Sequence, residues 1–162
     1  MTLTIIILAL VTLQRVGELW LSQRNTQALL AKGAREHAPG HYPLIVAVHT
    51  AWLAALWWLA PGRPIIFIWL ALFVLIEIAR IWVLATLGPR WTTRIIVLPN
   101  APLVKAGPYR FVSHPNYVVV AAEIAVLPLV FGLWPIALIF SALNAAVLAI
   151  RIREENRALS AS

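Results

Sequence analysis

The chain has 162 residues, of which 62% are hydrophobic and 12% are charged, against roughly 45–50% and 25% in soluble domains. This composition excludes a soluble globular fold, because so much apolar surface requires a bilayer. The formal net charge of +7 does not indicate nucleic-acid binding, because the basic residues occupy short loops between apolar stretches. The absence of cysteine excludes disulfides and thiolate sites.

Five membrane spans are predicted in a single domain, residues 1–162, since a helical span needs about 20 apolar residues. The N-terminal stretch has neither a basic n-region nor a cleavage pattern, so we interpret it as a retained span and not a signal peptide. Gly132 with Pro135 divides the last apolar region into a hairpin. The apolar regions are Thr2 to Leu21, Pro43 to Ala60, Ile65 to Leu87 and Pro115 to Ile150.

The loop charges predict the orientation of these spans. Ten cations fall on one side and only Arg63 on the other, so the positive-inside rule places the N-terminus outside and both long polar segments in the cytoplasm. We therefore expect the active site to face the cytoplasm. The ten cations are Arg24, Lys32, Arg35, Arg90, Arg94, Lys105, Arg110, Arg151, Arg153 and Arg157.

Ionisable residues inside the spans are candidates for a site, because charges in a membrane normally face the bundle interior or a cavity. Arg15 with Glu18, and Glu77 with Arg80, are spaced i, i+3, which predicts self-neutralising structural pairs. Glu123 has no such local partner and is a candidate catalytic base.

His49 is the second candidate base, and its alternative role is an interhelical hydrogen bond. His37 and His41 have a metal-ligand spacing, but Pro39 and Gly40 between them break a helix, so no metal site is predicted. No G-x-G-x-x-G is present, which argues against nucleotide sites of the usual α/β kind.

Two cytoplasmic stretches carry the densest polar chemistry. The first, from Arg90 to Tyr117, enters a helix at His114-Pro115, where free backbone N–H groups can hold an anion. The second is the tail R-I-R-E-E-N-R that begins at Arg151. The alternatives are a proline-braced loop with solvated cations and a stop-transfer basic cluster.

These stretches together resemble the isoprenylcysteine carboxyl methyltransferase family, most closely its small bacterial branch. The resemblance rests on G-P-Y-R-F-V-S-H-P-N-Y, then a hairpin of two spans, then R-I-R-E-E-N-R-A-L. W-T-T-R-I-I-V-L-P, H-Y-P-L-I-V and Q-R-V-G-E-L extend it over nearly the whole chain. It implies a methyltransferase of the bacterial inner membrane that uses S-adenosylmethionine and a lipophilic acceptor.

The resemblance also implies a cofactor site and exposes two departures from the family pattern. Ser113 stands where the family usually has arginine, for which Arg110 is a candidate substitute. Asn156 stands where a second glutamate is expected, next to the pair Glu154-Glu155. The implied cofactor-binding residues are Leu103, Val104, Gly107, Tyr109, His114, Tyr117, Arg151 and Glu155.

The leading hypothesis is O-methylation of a hydroxyl on a long-chain lipid such as an alkylpyrone or alkylresorcinol, with Glu123 or His49 as base. Ser113 in place of arginine argues against a prenylcysteine carboxylate. Prenylcysteine carboxyl methylation and phospholipid N-methylation remain alternatives within the same architecture. An NADPH-dependent membrane reductase and a non-catalytic scaffold are the alternatives of another class.

Overall fold

The computed structural model describes residues 2–99 and 101–160 and forms a bundle of five helices. Four of the helices are long and apolar enough to cross a membrane, and α4 is a shorter apolar helix. The prediction of an all-α integral membrane protein with about five membrane helices is confirmed. The helices are α1 (Thr2–Leu30), α2 (Tyr42–Leu59), α3 (Phe67–Leu87), α4 (Pro115–Val130) and α5 (Trp134–Ser160).

Helices α1 and α5 both continue beyond their predicted apolar spans. α1 ends at Leu30 instead of Leu21, and its polar last turns are held by tertiary contacts. The side-chain amide of Asn25 donates to the carbonyl oxygens of Gly88 (3.2 Å) and Trp91 (2.8 Å). The extension therefore fixes the start of the long polar loop that follows α3.

A small two-stranded sheet joins the two long polar segments, and hydropathy did not predict it. β1 (Arg35–His37) pairs antiparallel with β2 (Ile95–Val97), with Glu36 opposite Ile96. An ion pair between Arg94 and Glu36, 2.7 Å long, lies beside it. Three-residue strands bury too little to be recognised from their own composition, so the pairing itself defines them.

The opposite end of the bundle consists of tight turns, as the sequence predicts. Gly132 adopts φ 68° between α4 and α5, a conformation that glycine enters without a steric cost. The backbone N–H of Ile66 donates to Val130 O at 2.8 Å, which ties the start of α3 to the end of α4. The hydrophobic core between the helices centres on Trp52, whose indole N–H donates to Ile124 O at 3.2 Å.

Candidate functional site

Two cavities meet at the polar-loop end of the bundle. The first has a volume of about 580 Å³ and lies between the loop after α3, the start of α4 and the last turns of α5. Seven of the residues that the resemblance implies for a cofactor line it. They are Leu103, Val104, Tyr109, His114, Tyr117, Arg151 and Glu155.

The hydroxyl of Tyr117 connects the two charged residues of this cavity. It donates a hydrogen bond to Glu155 and accepts one from Arg151 Nε at 2.7 Å. Arg151 Nη1 also donates to the backbone oxygen of Thr93 at 2.6 Å. Because Tyr117 starts α4 and the charged pair lies one turn apart on α5, this network joins the two helices to the loop.

His114 and Tyr109 complete the polar side of the first cavity. The His114 ring stacks on Tyr117 with centroids 5.3 Å apart, and its Nδ1 lies 3.7 Å from Glu155 Oε2. Burial, assisted by the nearby Glu155 carboxylate, raises the pKa of the Tyr109 phenol above its usual value. Tyr109 is therefore a neutral hydroxyl-bearing aromatic ring throughout the physiological pH range.

Gly107, the eighth implied residue, is not among the residues that line the first cavity. It adopts φ 53°, and a Cβ atom at this position would lie 2.5 Å from the Thr86 hydroxyl oxygen and 3.2 Å from Trp82 Nε1. Glycine is therefore required by close packing of the loop against α3. Tyr109, which lines the first cavity, follows two residues later.

The second cavity is largely apolar, has a volume of about 420 Å³ and lies beside α1 and α2. Some of its lining side chains are exposed on the outer surface of the bundle, including Val16 (60%), Leu19 (46%) and Val46 (37%). The cavity therefore opens sideways, toward the surface that faces lipid.

Five residues line both cavities, and we call them the shared wall. Trp91 and Asn116 are joined within it, because the indole N–H of Trp91 donates to the Asn116 side-chain oxygen at 3.4 Å. The two cavities are therefore adjacent at these side chains. The shared wall consists of Trp91, Thr92, Asn116, Tyr117 and Arg151.

His49 lines the second cavity, and its hydrogen bond defines its tautomer. Its Nδ1 lies 2.8 Å from the carbonyl oxygen of Ile45. A carbonyl can only accept, so Nδ1 carries the hydrogen and, in the neutral ring, Nε2 carries the lone pair. The arrangement leaves one basic nitrogen on the ring.

Glu123 has a different environment from the one that the sequence suggests. It is fully buried and accepts from Arg15 Nη2 at 2.5 Å and from Arg80 Nη1 at 2.8 Å. It is not among the residues lining either cavity. The partners that it lacks on its own helix come from α1 and α3, so a buried ion network accounts for its presence.

Arg15, Glu18, Glu77, Arg80 and Glu123 together form an ion cluster between α1, α3 and α4. The predicted pair of Arg15 and Glu18 is confirmed, at 3.2 Å. The predicted pair of Glu77 and Arg80 is wrong, because Arg80 turns to Glu18 and Glu123. Glu77 instead accepts from Gln14 at 2.7 Å, and within the described residues its buried Oε1 has no hydrogen-bond partner.

Arg110, the candidate substitute for the family arginine, lies outside both cavity linings. It is exposed and sits over the ring of Phe111, 4.9 Å from the centroid. Ser113 and Asn156, the two positions that depart from the family pattern, both line the first cavity. The departures therefore alter the cavity itself.

Sequence reasoning did not assign a side-chain role at the site to three members of the shared wall, Trp91, Thr92 and Asn116. Trp91 is 2% exposed, which marks it as an interior residue and not as part of an interfacial aromatic belt. The sequence indicated a role for them only through their position, since all three lie inside the motifs that carry the resemblance.

Comparison with known families and proteins finds related sequences. The family model of the isoprenylcysteine carboxyl methyltransferase family matches residues 69–161, which include the loop, α4 and α5. The protein YpbQ of Bacillus subtilis, described as uncharacterized, is 34% identical, and the alignment covers 95% of each chain. An uncharacterized protein of Haemophilus influenzae is 28% identical over 90% of this chain and 88% of its own.

No solved structure matches the chain. The family model covers more than half of the sequence, and the matched region contains every residue of the Tyr117–Arg151–Glu155 network. The chain belongs to the isoprenylcysteine carboxyl methyltransferase family.

Proposed function

We propose that the protein transfers a methyl group from S-adenosylmethionine to a hydroxyl of a long-chain lipid. Family membership suggests a membrane methyltransferase, and the residues support this finer assignment. The observation that carries it is the shared wall, where a polar, loop-side cavity meets an apolar cavity that opens toward lipid. A water-soluble donor and a lipid-soluble acceptor need such an arrangement.

The donor set of the first cavity fits S-adenosylmethionine. This molecule supplies, when bound, a methyl group activated by a positively charged sulfur. Arg151 would hold its carboxylate, and Glu155 its ammonium or ribose, by charge-assisted hydrogen bonds. The aromatic faces of Tyr109 and Tyr117 offer a favourable surface for a cation. Tyr117 keeps Arg151 and Glu155 in place through its hydroxyl.

His49 is the base that we propose for the acceptor. Its Nε2 would take the proton of the acceptor hydroxyl as the oxygen gains the methyl group. The electron pair of the donor's sulfur–methyl bond would stay on the sulfur, which becomes neutral. The Ile45 carbonyl holds the ring in the tautomer that this step requires. Glu123 is the less suitable base, because both of its carboxylate oxygens accept from guanidinium groups.

The second cavity favours a lipid with a small oxygen-bearing ring and one alkyl chain, such as an alkylpyrone or alkylresorcinol. Ser113 leaves the family's arginine position without a cation, and Arg110 lies outside the cavity linings. A carboxylate acceptor would therefore lack the arginine that the family usually has at this position. A phenol or enol hydroxyl needs a base instead, and His49 provides one.

Isothermal titration of S-adenosylmethionine into the purified protein tests the donor assignment. We expect saturable binding that Glu155→Ala weakens at least tenfold. Glu154→Ala is the matched control, because Glu154 pairs with Arg157 at 2.8 Å and does not line the first cavity. NADPH is titrated in parallel, and binding of NADPH alone would replace the methyltransferase with a reductase.

Methyl transfer to a panel of lipids tests the acceptor assignment. The panel contains a 5-alkylresorcinol, an alkylpyrone, a prenylcysteine and phosphatidylethanolamine, with radiolabelled S-adenosylmethionine as donor. We expect label in the resorcinol or pyrone. Label in the prenylcysteine or the amine alone would contradict the hydroxyl assignment while leaving the donor assignment intact.

A further inference from the structure

We propose that Thr12 and Trp57 form the floor of the second cavity and select the chain length of the acceptor lipid. This inference rests on the proposed function, because it concerns the lipid that the second cavity holds. Trp57 Nε1 donates to Thr12 Oγ1 at 3.0 Å, and both residues line the cavity. The bond bridges α1 and α2 where the cavity ends.

A second bridge links the same two helices at the other end of the cavity. Thr93, in the loop after α3, contacts both helices through its hydroxyl. The Thr93 hydroxyl lies 2.7 Å from that of Ser22 on α1 and 3.1 Å from that of Tyr42 on α2. The space between α1 and α2 is therefore bounded at each end by hydrogen bonds and remains open at its side.

The two ends differ in polarity, which orients a bound lipid. Tyr42 and Thr93 lie at the same end as the shared wall, where Asn116 and Arg151 also present polar groups. Toward the floor the lining is mainly apolar, with Leu53 and Ala54 on α2. The polar ring of an acceptor therefore belongs between the shared wall and His49, and its chain runs toward Trp57.

Helix geometry gives the length of this space. Thr12 and Ser22 are ten residues apart, and Tyr42 and Trp57 are fifteen apart, which corresponds to about 15 and 22 Å along the two helices. A ring occupies about 5 Å, and an extended alkyl chain advances about 1.25 Å per carbon from ordinary bond geometry. The space therefore accepts a chain of roughly 8 to 13 carbons.

The test measures methyl transfer to 5-alkylresorcinols with 7, 11, 15 and 19 chain carbons, presented to the protein in nanodiscs. In the native protein we expect the best turnover near 11 carbons and at least a tenfold decrease by 19. Trp57→Ala removes the floor and shifts the optimum to longer chains. Trp58→Ala is the matched control, because Trp58 is 86% exposed and is not part of the cavity lining.

A second variant shortens the same space and does not depend on removing a tryptophan. Ala54 lines the cavity about one turn from Trp57 on the shared-wall side, so Ala54→Leu raises the floor. We expect its optimum to move to shorter chains by about four carbons, the length of one helical turn. Ala51→Leu, on the same helix but outside the lining, keeps the native profile.

Native mass spectrometry of the same lipids bound to the protein separates the two proposals. Chain-selective binding without methyl transfer would refute the proposed function and leave the floor standing. Methyl transfer at the same rate for every chain length would support the proposed function and refute the floor. Identical profiles in the native protein, Trp57→Ala and Ala54→Leu would overturn the floor.

Discussion

His49 has one ring nitrogen held by the backbone and one that carries a lone pair, and this is the arrangement of a general base. We expect His49→Gln to lower turnover by about 10²–10⁴-fold, the usual contribution of such a group. Affinity for S-adenosylmethionine should be unchanged, because His49 is not part of the first cavity's lining. Steady-state methyl transfer and isothermal titration measure the two effects.

His37→Gln is the control for this variant, since His37 lies in β1 and lines neither cavity. In His49→Gln the remaining rate should increase with pH, as the acceptor hydroxyl ionises without help. Equal turnover in the two histidine variants would remove His49 from the mechanism.

Tyr117 and Tyr109 differ by what their hydroxyl groups contact, although both line the first cavity. Tyr117→Phe leaves Arg151 and Glu155 without the hydroxyl that joins them. We expect affinity for S-adenosylmethionine to decrease about tenfold, which corresponds to about 1.4 kcal/mol. Tyr109→Phe should lower this affinity less, because the Tyr109 hydroxyl has no hydrogen bond within the described residues. Isothermal titration of S-adenosylmethionine into both variants tests this. A larger loss of affinity in Tyr109→Phe than in Tyr117→Phe would show that Tyr117 does not position the charged pair.

At the scale of elements, the loop before α4 is held against α3 by a glycine. We expect Gly107→Ala to destabilise the protein by about 1–3 kcal/mol, since its methyl group meets Thr86 at 2.5 Å. Gly33→Ala is the matched control: Gly33 also has a positive φ, of 88°, but has open space around its α-carbon. Thermal unfolding in detergent compares them. A Gly107 variant as stable as the Gly33 variant would mean that the loop is free to move away.

The spans were predictable because an apolar run and its proline or glycine ends are local features. The polar extensions of α1 and α5 were not, because residues such as Asn25 are ordinary polar helix formers whose partners lie in another loop. The β1–β2 pairing and the contact of Gly107 with Thr86 are likewise tertiary. The family motif located the first cavity, but the direction in which Arg80 turns depended on where α1 and α4 pack.

For the whole molecule, the ion cluster connects α1 and α4 through α3, and its charges do not balance. Three carboxylates face two guanidinium groups, which leaves one excess negative charge when all are ionised. The excess falls on Glu77, whose hydrogen-bond donor is the neutral Gln14. Replacing glutamate by glutamine should therefore change the stability of the bundle differently at Glu123 and at Glu77.

We expect Glu123→Gln to destabilise the bundle by several kcal/mol, because it leaves buried guanidinium groups without their partner. Glu77→Gln should be neutral or stabilising, since it removes the unbalanced charge and keeps the shape. Unfolding of the two variants in the same detergent provides the comparison. Arg157→Met is the surface control, because the Arg157 side chain is 76% exposed, and it should cost less than about 1 kcal/mol. Equal losses at both glutamates would refute the charge count.

The distribution of these charges along the chain also has a consequence for biogenesis. α1 carries Arg15 with Glu18, and α3 carries Glu77 with Arg80, so each can enter the bilayer with an opposite charge one turn away. α4 is the short helix, and it brings Glu123 with no cation of its own. We expect the translocon to release α4 into lipid only after the arginines of the two earlier helices are in place. These helices would then assemble in the order in which they are synthesised.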